Sequence, residues 1–322
     1  MEVLDTFNNQ GVKSFLEGNL ENAEIAYRKA IEEDTENSSA MNNLGFLLVR
    51  QGKPDEAKKL FLQSLAINSE SDSTHLNIGN LYLSENDLKS SQYHLEKSLS
   101  LNPDSAFVFE GLARLYLKLQ KYEEAVVALE RSIELNPGNT DLKTTYASLL
   151  LSLGMIDKST EAFYEIFLSD PEETEALIGI GITSFIKKDF NVAQNFLKRA
   201  LAIEPENKKA RQNLANCYFS MNEGEKGLKE YERILMLYPD DLEAKTDLAV
   251  IHLSLGNTDL AHKYIREVLC IEALPKAVYY EGVILHLKKD FVNAHRILED
   301  LSKTEHSYQR KAFEYLNQYF EN

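Results

Sequence analysis

The chain has 322 residues, and its 51 acidic against 35 basic side chains give a formal net charge of −16. This acidity argues against nucleic acid and anionic membrane surfaces as partners, since both are bound by basic faces. Apolar residues make up 43% of the chain, too many for a disordered acidic protein, so a packed core is expected.

The N-terminal sequence and the cysteines predict a cytoplasmic protein. Residues 1–10 contain no apolar secretory core, and the longest apolar runs fall far below the roughly 20 residues that span a bilayer. Cys217 and Cys270 stand apart without a CxxC pair, as in proteins of reducing compartments. We expect both to be small packed side chains, and we expect no insertion into a membrane.

Prolines mark a regular break along the chain. Five of the seven follow one another at intervals of 34 residues: Pro103, Pro137, Pro171, Pro205 and Pro239. Proline cannot continue a helix and biases the preceding residue away from helical dihedrals. A helix is therefore predicted to end once in every 34 residues.

Small and large apolar residues keep the same period and predict two helices in each unit. Between 106 and 119, apolar side chains follow the i, i+3, i+4, i+7 spacing of a helix, and a second amphipathic stretch covers 123–135. No strand pattern occurs. In chain order the predicted helix pairs are 4–37, 38–71, 72–105, 106–139, 140–173, 174–207, 208–241, 242–274 and 275–308, followed by a capping helix at 309–322.

The fourth segment shows the clearest motif. It matches the pattern W-x2-L-G-x2-Y, A-x3-F and P at Phe109, Leu112, Ala113, Tyr116, Ala125, Leu129 and Pro137. The period and these residues resemble the tetratricopeptide repeat (TPR) family along essentially the whole chain. The resemblance implies an all-α, right-handed superhelical solenoid of antiparallel helix pairs, forming a single domain over 1–322. It also implies that first helices line a concave groove that holds peptides, through positions 2, 5, 6, 9 and 13 of each repeat.

No convergent set of catalytic residues is visible. The sequence lacks HExxH, GxGxxG, GxxxxGK[ST] and GxSxG motifs. Four histidines fall within 252–295, but His252 occupies a packed aromatic position of the repeat and the others show no paired spacing on one helix. We therefore expect no enzyme activity, no metal and no cofactor.

Polar groove positions predict a backbone-binding surface. Chaperone-binding members of the family hold a C-terminal carboxylate with a lysine at position 5, which no repeat of this chain provides, and only Asn43 matches their pattern. The acidic C-terminus of heat-shock chaperones is therefore not expected as a ligand. An interrupted asparagine set resembles the ladder of long TPR proteins such as O-GlcNAc transferase, the alternative being that asparagine is common here in the repeat. Its members are Asn42, Asn43, Asn77, Asn80, Asn213 and Asn216.

The middle of the groove is predicted to be open and apolar. Ile178, Ile182 and Ile186 form an i, i+4, i+8 stripe on a helix that is apolar all round, and such a helix is either buried or awaiting a partner. The alternative is that curvature or the fifth repeat covers the stripe. The other predicted groove residues here are Phe107, Glu110, Gly111, Arg114, Thr145, Ser148 and Gly179, the glycines and Thr145 removing bulk from its floor.

The C-terminal helix carries more apolar surface than a cap requires. A solenoid needs a capping element, and Phe313 and Phe320 suit that role. A second aromatic stripe raises the alternative of self-association, which gives the candidate residues Tyr308, Phe313, Tyr315, Tyr319 and Phe320. Residues 1–40 are acidic whereas 275–311 are slightly basic, which favours head-to-tail assembly weakly.

Together these features predict a non-catalytic scaffold or adaptor. Its ligand is expected to be a hydrophobic, neutral or basic segment of another protein, because an acidic chain rejects acidic partners. The alternatives are a self-assembling structural scaffold, in which the partner is another copy, and a regulatory or substrate-recruiting subunit of an enzyme complex.

Overall fold

The computed structural model describes residues 6–320, where helices and short turns make up the chain without any strand. The helices in chain order are α1 (Phe7–Leu16), α2 (Leu20–Glu33), α3 (Ser38–Arg50), α4 (Pro54–Ile67), α5 (Asp72–Ser84), α6 (Leu88–Leu101), α7 (Ala106–Lys118), α8 (Tyr122–Leu135), α9 (Thr140–Ser152), α10 (Ile156–Ser169), α11 (Thr174–Ile186), α12 (Phe190–Ile203), α13 (Lys208–Ser220), α14 (Gly224–Leu237), α15 (Leu242–Ser254), α16 (Thr258–Leu269), α17 (Pro275–Leu287), α18 (Phe291–Ser302) and α19 (Gln309–Tyr319).

Each odd-numbered helix up to α17 forms a hairpin with the helix that follows it. The all-helical fold class is therefore confirmed. Helix α3 begins at Ser38 and α5 at Asp72, the first residues of the second and third predicted segments. We call the odd-numbered helices from α1 to α17 the first helices and their partners the second helices. The exact limits and number of the repeats stay a prediction.

A left-handed residue ends the first helix of each hairpin within residues 6–320. Gly18 has φ +79° and Lys188 has φ +66°, and the equivalent residue has positive φ in the other hairpins. The amide of the next residue donates to a carbonyl five residues back, as Asn19 does to Ser14 O at 2.8 Å. This is a Schellman motif, which satisfies the last carbonyls of the helix and reverses the chain.

The chain divides into two compact units, one ending at Ile166 and the other beginning at Phe167. In the first unit, small residues let paired helices approach closely. A Cβ added to Gly45 would lie 2.6 Å from the ring of Phe61, so glycine is required there. A buried serine then joins the two helices of a hairpin, because the hydroxyl of Ser64 donates to Ser38 O at 2.8 Å.

The second unit is built from the same hairpins with apolar residues at the serine position, such as Ala200 and Ile234, which are fully buried. Its last helix, α19, buries Ala312 and Leu316 against Leu298 and Leu301 of α18. The described part of α19 therefore covers the last second helix, as a cap would. Residues 321–322 of the predicted capping helix lie outside the described residues.

Candidate functional site

A polar row joins successive first helices in the first unit. The Nδ2 of Asn43 donates to Oδ1 of Asn8 at 3.1 Å, and the Nδ2 of Asn77 donates to Oδ1 of Asn42 at 2.9 Å. Further along, Arg114 Nη2 donates to the side-chain oxygen of the asparagine at position 80 at 3.2 Å. Each bond links neighbouring hairpins, so side chains of the early asparagine set bridge successive first helices, and ligand binding by this polar row stays a prediction.

The polar row ends beside an exposed aromatic ring. Arg114 also lies 3.7 Å from Glu110, which holds its guanidinium along α7. Phe107 lies one turn before Glu110 on α7 and is 64% exposed. Asn42 is buried within the row, whereas Asn43, Asn77 and Asn80 are half-buried and reach its surface. The structure thus brings together a polar row and one apolar ring.

Gly111 does not open the floor of the groove as predicted. It is buried, and a Cβ there would lie 2.9 Å from Leu95 Cδ2 and 3.0 Å from Asn80 Oδ1. The space that the missing side chain releases is therefore taken by neighbouring atoms of the fold. Thr145 is exposed and donates its hydroxyl to Asp141 O within its own helix, and Ser148 is half-buried.

The predicted exposure of the isoleucine stripe is wrong at its first residue. Ile178 is fully buried in a core cluster with Leu177, and Gly179 is buried as well. Ile182 packs half-buried against the same cluster, so Ile186, at 47% exposure, is the stripe residue that reaches solvent. Helix α11 is apolar on several faces because it packs against α12 and α13, whose residues form the same cluster.

The late asparagines do not continue the polar row within the second unit. Asn213 donates its Nδ2 to Lys209 O at 2.7 Å, inside its own helix. Asn216 is exposed.

A polar pocket of about 310 Å³ lies further along the first helices, where Asp247 and Lys276 form an ion pair beside Tyr308. The sequence analysis did not identify Asp247 and Lys276, although they occupy groove positions 6 and 2 of their repeats.

The aromatic stripe of the C-terminal helix is partly used within the fold. Tyr308, Tyr315 and Phe320 pack against the cluster that holds α19 to α18, and His286 Nδ1 lies 2.7 Å from the hydroxyl of Tyr315. Phe313 and Tyr319 remain 56% and 50% exposed. The predicted self-association surface is therefore smaller than the full stripe.

A histidine pair inside the first unit was missed by sequence reasoning. The Nδ1 atoms of His75 and His94 lie 2.8 Å apart, and His75 Nε2 lies 3.1 Å from Ser69 O. Burial lowers the pKa of His94 to about 4, helped by His75. Burial also lowers the pKa of His75, against the opposing effect of its hydrogen bond to the Ser69 carbonyl and with a smaller contribution from Lys97. Register could have found the pair, since both rings occupy core positions of their helices.

Other titratable groups serve packing. His252 is buried and stacks on Tyr264 at 5.8 Å between ring centroids, as the sequence indicates. Cys217 is buried, and burial raises its thiol pKa to about 11, but Cys270 is exposed, which contradicts its predicted packing.

Among the described residues no group of three or more His, Cys, Asp or Glu side chains is placed to hold a metal ion, and no helix could cross a membrane.

Sequence models of the tetratricopeptide repeat match residues 36–104, 106–139 and 185–241. These matches fall on the hairpins described above.

This chain is a tetratricopeptide repeat protein.

Several curated proteins resemble this TPR protein over part of their length. It is 26% identical over 155 residues to Protein CTR9 homolog of Arabidopsis thaliana, covering 47% of this chain and 14% of that protein. It is 24% identical over 144 residues to the peroxisomal targeting signal receptor of Eremothecium gossypii, covering 44% and 24%. The alignments thus span less than a quarter of either relative's length.

Among solved structures, the crystal structure of YrrB, a TPR protein with an unusual peptide-binding site, is similar to this TPR protein. The two share 26% identity and a TM-score of 0.51 over 57% of this chain and 95% of YrrB. The family and its neighbours support a protein-interaction scaffold, and TPR repeat proteins are generally non-catalytic.

Proposed function

We propose that this TPR protein binds a peptide segment of another protein along the first helices of its first unit. The observation that carries the proposal is the polar row that links α1 with α3, α3 with α5, and α5 with α7 through side-chain hydrogen bonds. The likeness to YrrB, whose structure shows a peptide-binding site, supports a peptide as the ligand.

The asparagine amides suit a peptide backbone. Each carries two N–H donors and an oxygen with two lone pairs, so one bond to a neighbouring asparagine leaves further bonding capacity. The internal bonds fix the rotamers of Asn43 and Asn77, so a ligand meets amides that are already oriented. Preorganised groups lose less conformational entropy on binding, so the row favours a backbone over a particular side chain.

Selectivity along the segment comes from the end of the row. Phe107 offers an exposed ring beside the Glu110–Arg114 pair, which suits an apolar side chain of the ligand. The net charge of −16 slows the approach of acidic segments and favours neutral or basic ones.

The experiment is a quantitative pull-down, in which the full chain is the bait and its ligands are captured from extracts of the cells that express it. Wild type is compared with Phe107→Asp and Arg114→Ala, which alter exposed side chains at the end of the row, and with the control Tyr93→Ser. Tyr93 is 63% exposed on the second helix α6. Ligands of the row are lost with the first two variants and retained with the control, and peptide arrays of those proteins then locate the segment. Retention of every ligand by Phe107→Asp and Arg114→Ala would refute the proposal.

Self-association is a second candidate, favoured by the exposure of Phe313 and Tyr319 on α19. If it occurs through this surface, the double variant Phe313→Ser, Tyr319→Ser is monomeric at concentrations where the wild type is not. Light scattering with size exclusion at two concentrations measures this. A wild type that is monomeric at both concentrations would remove the candidate.

A further inference from the structure

Two neighbouring hollows lie between second helices of the first unit, away from the polar row. The first, of about 370 Å³, lies where α6, α7 and α8 meet. Leu99, Phe109 and Leu112 contribute apolar side chains to it, and Ala128 and Val127 line it from α8. Val127 is 64% exposed. The volume is at the lower end of the range for ligand pockets, about 300–1,000 Å³, and suits a side chain rather than a whole molecule.

The second hollow, of about 310 Å³, repeats this arrangement one repeat later, between α8, α9 and α10. Ile133 takes the place of Leu99, Tyr146 that of Leu112, and Ala162 that of Ala128. The two hollows therefore occupy equivalent places in consecutive repeats, side by side.

Alanine explains why these places are open. Position 23 of the repeat, which is Ala128 and Ala162 here, carries larger side chains in the neighbouring repeats. Leu60 packs into the core in the second repeat, His94 meets His75 at 2.8 Å in the third, and in the sixth Phe196 packs edge-on against Phe167 at 5.4 Å. In the seventh repeat an ion pair at 2.6 Å, between Arg211 and Glu230, stands at the equivalent positions.

The chemistry of the hollows differs in a way that defines a ligand. The first is apolar inside and has Glu123 and Glu124 at its rim. The second brings Glu130 and Glu165 to an apolar base, and Glu130 accepts a hydrogen bond from Tyr146 at 2.7 Å. Burial, Glu130 and Glu165 together raise the pKa of the Tyr146 phenol. Both carboxylates are therefore close enough to influence the same side chain in the second hollow.

The basic groups near the second hollow balance its acidity only in part. Lys143 lines the hollow with three glutamates, of which Glu134 is paired with Arg131 at 2.9 Å. The first hollow has no basic side chain among the residues that line it. Together the two places present apolar surface surrounded by excess carboxylate, which is complementary to an apolar side chain next to a cationic one.

We propose that the two hollows form a docking site for a basic segment of a partner protein. A large apolar side chain of the segment enters the first hollow, and a neighbouring lysine or arginine enters the second. The site lies away from the polar row, so it gives this scaffold a second, independent contact.

The test measures binding of the full chain to a short fluorescein-labelled peptide, in which one leucine is flanked by arginines and the other positions are serine. Peptides with serine in place of leucine, or glutamate in place of arginine, serve as comparisons. We expect the leucine–arginine peptide to bind at least about tenfold more tightly than either by fluorescence anisotropy, and its affinity to fall with added salt. Equal binding of the serine peptide, or no binding of the leucine–arginine peptide, would overturn the proposal.

Filling the hollows separates docking from folding. Ala128→Leu and Ala162→Phe place in each hollow the side chain that the second or sixth repeat carries there, so both variants are expected to keep or raise the thermal midpoint. Each is expected to lower peptide affinity at least about fivefold. If a filled variant with native circular dichroism binds as tightly as the wild type, the site is wrong. If a filled variant unfolds, Val127→Glu replaces it. Its control is Ile25→Glu, which changes the same position of the first repeat.

Charge reversal distinguishes the hollow from the general acidity of the chain. Glu165→Lys and Glu161→Lys change the net charge equally and lie on the same helix, but only Glu165 lines the hollow. We expect Glu165→Lys to weaken the peptide at least about fivefold and Glu161→Lys to change it less than twofold. Equal effects would mean that the peptide follows net charge, and the proposal would fall. Phe107→Asp, the variant of the polar row, is expected to leave this binding unchanged.

Discussion

The His75–His94 pair should make α5 and α6 sensitive to mild acid. The two Nδ1 atoms lie 2.8 Å apart, so one proton fits between them, and a second proton there would bring two N–H groups into repulsive contact. The pKa of His94 in the folded chain is about 4, against 6.5 for the free side chain. Between these values the unfolded chain binds more protons than the folded one, so stability falls as the pH falls.

The size of the effect follows from that difference. Each pKa unit is worth about 1.4 kcal/mol, so the full loss approaches about 3 kcal/mol near pH 4, and by linkage about 2 kcal/mol is lost between pH 7 and pH 5. The perturbation that isolates it is His94→Phe, because phenylalanine already occupies this position in the sixth repeat, at Phe196. The variant retains an aromatic ring but has no group that titrates.

Amide hydrogen exchange of α5 and α6 measures the effect locally. After correction for intrinsic exchange rates, protection of these helices should fall roughly thirtyfold from pH 7 to pH 5 in the wild type, which corresponds to about 2 kcal/mol. It should fall much less in His94→Phe. His295→Phe, which removes an exposed histidine of the second unit, should behave as the wild type. Equal pH dependence of protection in wild type and His94→Phe would exclude the histidine pair as the cause.

Three further predictions concern packing and reactivity. Gly45→Ala should lower the free energy of unfolding by about 1–3 kcal/mol through overpacking, as measured by urea unfolding. The control Gly138→Ala should lower it much less, because a Cβ at Gly138 would meet only one atom, at 3.8 Å. Glu281 is 2% exposed, occupies an apolar position of the repeat and has His262 and Arg266 as partners. The Arg266 side chain is itself 66% exposed and stays hydrated without its partner, so Glu281→Leu removes the cost of desolvating a buried carboxylate and should leave stability unchanged or raise it; a lowered thermal midpoint would contradict this. Cys270 should react with a thiol reagent in the native protein and Cys217 only after unfolding, as mass spectrometry of the labelled peptides would show.

The fold was predictable because its information is periodic. Pro103 and Pro137 end their helices one repeat apart, and a pattern that recurs along the chain averages out local ambiguity. The two helices of each hairpin then follow from the spacing of small and large apolar residues. Gly45 shows the physical basis, since a ring lies where its side chain would be.

The candidate site was less predictable because exposure depends on neighbouring repeats. Asn42 and Asn77 were identified by register, but their mutual hydrogen bond depends on the distance between helices, which sequence does not contain. Ile178 lies at a groove position and is nevertheless buried. Residues that differ from their equivalents in other repeats indicate local openings in the packing: Ala128 and Ala162 stand where larger side chains are usual.

The hydrophobic clusters of the first unit have a consequence for synthesis of the chain. One cluster draws its buried residues from Ala23 to Leu81, and the next from Leu83 to Leu150. Because each is complete within about two repeats of chain, stability grows by adding neighbours, as in other solenoids. The earliest clusters can therefore close while later repeats are still being translated, so the nascent chain exposes apolar surface mainly at its growing end.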